Sequence, residues 1–148
     1  MRLTASSRDT VLAVLDLAIQ GGAAGQAVRL QDIAERQQIA LSWLEQLFSR
    51  LRKQGIVRSI RGPGGGYVLA KRPADISISC LMSCASGVID MRECKGGENC
   101  HTRQRCLAHN LWDYINRQLH VTLSSISVQD IIQNVELPSG DFPVTTPA

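Results

Sequence analysis

The run Gly62-Pro63-Gly64-Gly65-Gly66 cannot sit inside a helix or a regular strand, and this break constrains the fold more than any other stretch of the chain. The residues on either side have strand character, Ile56-Val57-Arg58-Ser59-Ile60-Arg61 before it and Tyr67-Val68-Leu69-Ala70 after it. A β-hairpin with a glycine-rich tip is predicted. Such a tip has no side-chain bulk, so backbone amides can approach phosphates closely, and Arg61 at its edge is placed to reach a narrow minor groove. The bland counterparts are a generic surface loop and a solvated arginine.

Helical periodicity fills the chain before the hairpin. Val11, Leu12, Leu15, Ala18 and Ile19 recur at three- and four-residue steps between Ser6-Ser7 and Gly21-Gly22, which predicts a capped amphipathic helix from Ser7 to Gln20. A Gly-Ala loop leads into Val28-Arg29-Leu30, and Ile33 with Ala34 stripes a short helix from Gln31 to Arg36. After Gln37-Gln38-Ile39-Ala40, the segment Ser42 to Lys53 sets Leu44, Leu47, Phe48 and Leu51 on one face and Trp43, Gln46, Arg50 and Lys53 around the rest.

A short helix, a tight turn and a second helix with a polar, basic outer face is the helix-turn-helix arrangement, whose second helix enters the major groove. With the hairpin as a wing, the first part of the chain reads as a winged helix-turn-helix. The DNA-facing candidates are Ser42, Trp43, Glu45, Gln46 and Arg50 on the helix, with Arg61, Gly62, Gly64, Gly65 and Gly66 on the wing. Glu45 has two readings. Ser42-Trp43-Leu44-Glu45 fits a capping box, and the same carboxylate could accept from a cytosine amino group. Trp43 fits either a sugar-phosphate edge or partial core. Charge points the same way: up to Pro73 there are 11 basic and 5 acidic residues, and beyond it 5 and 8, or about +6 against −3.

Three cysteines and a histidine, Cys94, Cys100, Cys106 and His109, dominate the second half. Thiolate and imidazole suit zinc, copper(I) and iron-sulfur iron rather than calcium or magnesium. Lys95-Gly96-Gly97-Glu98-Asn99 is a polar, glycine-rich loop able to wrap a centre. Structural zinc sites usually present two close pairs of ligands, whereas these thiols are widely spread, so a two-iron cluster is the favoured occupant. Zinc, or ordinary thiols of a reduced protein, are the alternatives.

Beyond Pro73, Asp75 is expected to cap a short helix carrying Ile76, Ile78, Leu81 and Met82, with Cys80 and Cys84 as core packing. From Cys106 onward, Leu107, Leu111, Trp112, Ile115, Leu119 and Leu123 mark an amphipathic helix long enough to need cover. A second copy of the chain supplies that cover most simply, giving a twofold dimer; packing on its own domain is the alternative. The expected fold is mainly α with a small β wing. It divides into a winged helix-turn-helix domain at 1–73, a cluster-binding loop and dimerisation helix at 74–136, and a disordered tail at 137–148.

No apolar run approaches a membrane span and no signal sequence is evident, so a cytoplasmic protein with no membrane partner is expected. No nucleophile and base pair up, and His101 and His120 have no evident catalytic neighbours, so an enzyme is not expected.

The segments Leu41 to Lys53 and Arg61-Gly62-Pro63-Gly64-Gly65-Gly66-Tyr67 resemble the bacterial iron-sulfur cluster regulators, the IscR family. The similarity runs from Met1 to about Val135 and takes in the cysteine spacing followed by histidine. This resemblance implies a homodimeric regulator binding double-stranded DNA at a pseudo-palindromic operator and repressing the cluster-assembly operon. It implies a [2Fe-2S] cluster on Cys94, Cys100, Cys106 and His109, delivered by contact with the cluster-assembly machinery. The family's carboxylate at the position of Glu45 tunes operator choice without the cluster, which moves Glu45 towards a DNA role. The chain departs from the pattern at Ser6-Ser7-Arg8-Asp9, where the family usually has lysine, glycine, arginine and tyrosine, and at Cys80 and Cys84. Two other functions compete: a small [2Fe-2S] redox protein, and a zinc-stabilised DNA-binding repressor.

Overall fold

The computed structural model describes residues 5–22, 25–87 and 107–133. Helices α1 (Ala5–Gly21), α2 (Leu30–Gln37) and α3 (Leu41–Lys53) precede strands β1 (Val57–Ile60) and β2 (Gly66–Leu69). Helices α4 (Ile78–Ser86), α5 (His109–Ser125) and α6 (Val128–Ile132) follow. The mainly helical fold with a small β wing is therefore as the sequence predicts.

From Val11 to Ile19 every residue of helix α1 but Asp16 is apolar, so periodicity alone leaves its phase open. Of the expected stripe of Val11, Leu12, Leu15, Ala18 and Ile19, three residues, Val11, Leu15 and Ala18, pack half-buried on the core, while the fully buried apolar side chains are Ala13, Val14 and Leu17, and Ile19 is exposed. The partner that orients the helix is polar. Asp16, its side chain 2% exposed, accepts from Arg36 Nη2 at 2.6 Å, from Arg36 Nε at 3.0 Å and from Gln37 Nε2 at 2.7 Å. That clamp ties the middle of α1 to the end of α2 and leaves the buried carboxylate fully partnered. It also holds the Arg36 guanidinium above its ordinary pKa, chiefly through the hydrogen bond to Asp16.

Gln38 ends α2 in the left-handed region, φ 56°, and its amide returns to the Ala34 carbonyl. This tight turn brings in α3, which buries Leu44, Leu47, Phe48 and Leu51 as the sequence pattern requires. The capping box, one of the two readings of Ser42 and Glu45, does not form. Helix α3 begins at Leu41 with Ala40 as its cap, which places Ser42 inside the first turn, and no side chain caps it.

The hairpin pairs Val57 with Leu69 and Ile60 with Gly66. Val28 adds a bridge that the sequence reading missed, donating to Tyr67 at 2.9 Å and accepting from it at 2.8 Å. A Cβ at Gly66, whose φ is 155°, would lie 2.4 Å from the Val28 carbonyl oxygen, and one at Gly65 would lie 2.5 Å from that of Ile60. Glycine is needed at both positions because backbone approaches too closely for any side chain.

The start of α4 differs from expectation. Asp75 closes a short 3-10 turn, Pro73–Asp75, where Arg72 holds it at 2.8 and 3.1 Å. Ser77 is the cap, accepting from the Cys80 amide at 3.2 Å. Helix α6 had no counterpart in the sequence reading. Ser127 and Asp130 form a capping box at its start, and Ile78 and Ile76 exchange backbone bonds of 2.9 Å with Ile126 and Val128. Val128, Leu81 and Ile76 are buried in one cluster with Leu17, Ile33 and Phe48, so the elements after the wing share the core of those before it.

Candidate nucleic-acid interface and metal ligands

The outward side of α3 carries Ser42, Glu45, Gln46 and Arg50, all exposed. Trp43 is half-buried against the core, so of its two readings the structure has the partial-core one. Helix and wing are fastened to each other through aromatic rings. Phe48 on the buried side of α3 meets Tyr67 edge-on, centroids 5.0 Å apart and planes at 67°. Tyr67 is in turn bridged to Val28 just before α2. The exposed face of α3 and the wing tip are therefore held in one rigid relation by residues that face inward.

At the tip, Arg61, Gly62, Pro63 and Gly64 are exposed, while Gly65 and Gly66 are half-buried. The Gly65 amide closes the turn by donating to Gly62 at 2.9 Å. Gly62 and Gly64 have positive φ, 96° and 72°, with open space where a Cβ would stand. Two of the candidate glycines thus answer a backbone conformation and two answer a shortage of space. Arg58 is exposed on β1 beside buried Val57. Arg50 donates from Nη1 to the Ala85 carbonyl of α4 at 3.1 Å, so the guanidinium is anchored on the protein side.

Of the metal-ligand candidates, His109 is the first residue of α5 and is half-buried. Cys94, Cys100 and Cys106 lie outside the described residues, and the helix expected from Cys106 begins at His109, with Leu107 and Ala108 in a turn before it. Among the described residues no three His, Cys, Asp or Glu side chains gather as a metal site. The fit to an iron-sulfur centre rests on donor chemistry, three thiols with an imidazole, and on His109 opening a regular helix with its ring partly accessible.

Helix α5 buries no residue fully. Trp112, Ile115, Leu119 and Leu123 are half-buried, and Ser79 meets His120 Nδ1 at 3.2 Å where α4 and α5 touch. Leu111 at 53%, Tyr114 at 60% and Val121 at 58% exposure form a second, outward apolar row. The single stripe read from sequence is two faces. Cys80, expected in the core, is exposed, and Cys84 is half-buried against it. The Ser77 cap sets the phase of α4 so that Ile78, Leu81 and Met82 point inward and Cys80 points out.

The family model for Rrf2, an iron-dependent transcriptional regulator, matches residues 3–134. An HTH-type transcriptional regulator of Neisseria meningitidis is 46% identical over 133 residues, 90% of this chain and 88% of that one. The HTH-type regulator IscR of Pectobacterium atrosepticum is 43% identical over 137 residues, 93% of this chain and 82% of its own. Among solved structures, IscR of T. potens superposes with a TM-score of 0.72 at 29% identity, covering 92% of this chain and 89% of that one. CymR, the global cysteine regulator of B. subtilis, gives 0.75 at 26% identity, with 92% and 99% covered. These relatives are named as regulators of transcription, not as enzymes. Among the described residues no helix is long and apolar enough to cross a membrane.

Proposed function

This chain belongs to the Rrf2 family of helix-turn-helix transcriptional regulators, and from that premise we propose that it is a cytoplasmic, homodimeric DNA-binding sensor of iron-sulfur supply. The observation that carries the DNA half is the exposed face of α3 locked to a glycine-tipped wing through Phe48 and Tyr67. A twofold dimer presents two such helices to successive major grooves about 34 Å apart on a pseudo-palindromic operator. Glu45, Gln46 and Ser42 face the base edges, with the Glu45 carboxylate accepting from a cytosine amino group. Trp43 flanks them at the edge of the core. Arg50 and Arg61 meet the sugar-phosphate backbone, Arg61 reaching the minor groove beside Gly62, Gly64, Gly65 and Gly66.

Cys94, Cys100, Cys106 and His109 would hold a [2Fe-2S] centre. The soft donor set and the iron dependence in the family's description support this. When bound, such a centre supplies an occupant whose presence tracks iron-sulfur supply. Cys94, Cys100 and Cys106 would hold the centre together with His109, and because His109 opens α5, occupancy would bear on the helix with the outward apolar row. The two winged domains then shift in relative position, and with them the operators that fit. The regulated genes are those of cluster assembly, which the protein represses, with other promoters read according to occupancy. The assembly machinery delivers the cluster.

Anaerobic purification followed by a visible spectrum and iron, sulfide and zinc analysis tests the proposal. The expected result is a reddish protein with about two irons and two sulfides per chain. A colourless protein with stoichiometric zinc would overturn it, leaving a repressor with a structural metal. A coloured protein with no sequence-specific DNA binding would instead select a redox role.

A further inference from the structure

The cysteines of α4 have no part in the function proposed above. Cys80 and Cys84 stand one helical turn apart, both free thiols, the first exposed and the second half-buried. The Ser77 cap on the Cys80 amide holds the turn that carries them in register. Burial pushes the Cys84 thiol up, and Cys80 adds to this through its charge and a hydrogen bond, while Arg50 opposes the shift. One helical turn apart on α4, the two thiols are neighbours. Arg50 is itself fixed to α4 through the neighbouring Ala85 carbonyl at 3.1 Å.

Geometry separates what paired thiols can do. A disulfide needs Cβ atoms about 3.5–4.5 Å apart, whereas residues one turn apart on a helix set them about 5–6 Å apart. Closing an S–S bond would unwind α4, which packs on α1, α3 and α5. An atom lying between the sulfurs removes the mismatch without moving backbone. Thiolate pairs select soft ions over hard ones. Zinc wants four ligands, which two thiols do not supply. Copper(I) is satisfied by two thiolates.

We propose that Cys80 and Cys84 form a two-thiolate site for a soft monovalent cation of the copper(I) class, separate from the ligand set at 94–109. Each thiol releases one proton to solvent, each sulfur gives an electron pair to the cation, and no oxidation state changes. The bound unit carries one net negative charge.

The probe is copper(I), supplied anaerobically against a chromophoric copper(I) chelator. The protein is the full chain carrying Cys94→Ala, Cys100→Ala and Cys106→Ala, in which Cys80 and Cys84 are the remaining thiols. One copper(I) per chain is expected, with affinity rising up to about a hundredfold per pH unit below the thiol pKa because two protons leave. Adding Cys84→Ser should weaken retention at least about a hundredfold with an unchanged circular dichroism spectrum. No retained copper, equal retention after Cys84→Ser, or zinc held as tightly as copper(I) would overturn the assignment. If the triple variant does not fold, the unmodified chain is compared with Cys80→Ala/Cys84→Ala. One copper fewer per chain supports the site, and an equal count removes it.

Discussion

At position 66 the backbone leaves no room for a methyl group, since the Val28 carbonyl oxygen occupies its place at 2.4 Å. Gly66→Ala should lower stability by about 3 kcal/mol, read as a fall in the urea midpoint with an unchanged slope. Residues that face DNA should behave differently, altering binding with little change in stability. Arg61→Ala is expected to weaken binding across sequences and to reduce the salt slope by about one, because it removes a phosphate-side contact. Glu45→Ala in the cluster-free protein should relax base preference at one position while total affinity changes little. Titration of labelled duplexes at several salt concentrations separates the two, and identical behaviour of both variants would undo their assigned roles. Both side chains are exposed. The competing capping role of Glu45 was decided by a shift of one residue in the start of α3, which only the folded helix reveals.

At the scale of elements, α5 is the part whose two faces have different fates. Its half-buried side, Trp112, Ile115 and Leu119, runs alongside an outward row of Leu111, Tyr114 and Val121 that is more than half exposed. A helix of this composition gains by covering that row, at roughly 1.5–3 kcal/mol for each large side chain fully buried. If a second copy covers it, Leu111→Glu with Val121→Glu should raise the dimer dissociation constant at least about a hundredfold. Sedimentation of the variant at micromolar concentration checks this, and an unchanged dimer would place the interface elsewhere. Heptad-like spacing made the helix legible. It could not divide the helix into two faces, because nearly every turn of α5 carries an apolar residue on each. Likewise α6 was not foreseen, since a helix of 5 residues is too short for periodicity and is held by its Ser127–Asp130 box and by backbone bonds to Ile76 and Ile78. The Asp130 carboxyl is held below its ordinary pKa by the Ser127 hydroxyl and amide. Its support for α6 is therefore present above the usual carboxylate range and is lost as pH falls through the lowered value.

For the whole molecule, the expected coupling runs from residues 94–109 through α5 to the spacing of two α3 helices. An imidazole must shed its proton to bind and competes with protons near neutrality, so one histidine among three thiolates makes a centre easier to lose. His109→Cys should retain visible absorbance several-fold longer under oxidant, and equal or faster bleaching would remove this reading of the histidine. Sequence alone was enough to establish the helix-turn-helix and the wing, because each is written in local terms: period and glycine content. Tertiary structure decided the rest. The phase of α1 follows from Asp16 meeting Arg36 and Gln37, and the need for glycine at 66 follows from Val28 crossing behind the wing. The exposure of Cys80 follows from the Ser77 cap and the core that α4 must face. Each of these depends on residues distant in the chain or on which side of a helix the core lies, and local pattern carries no record of either.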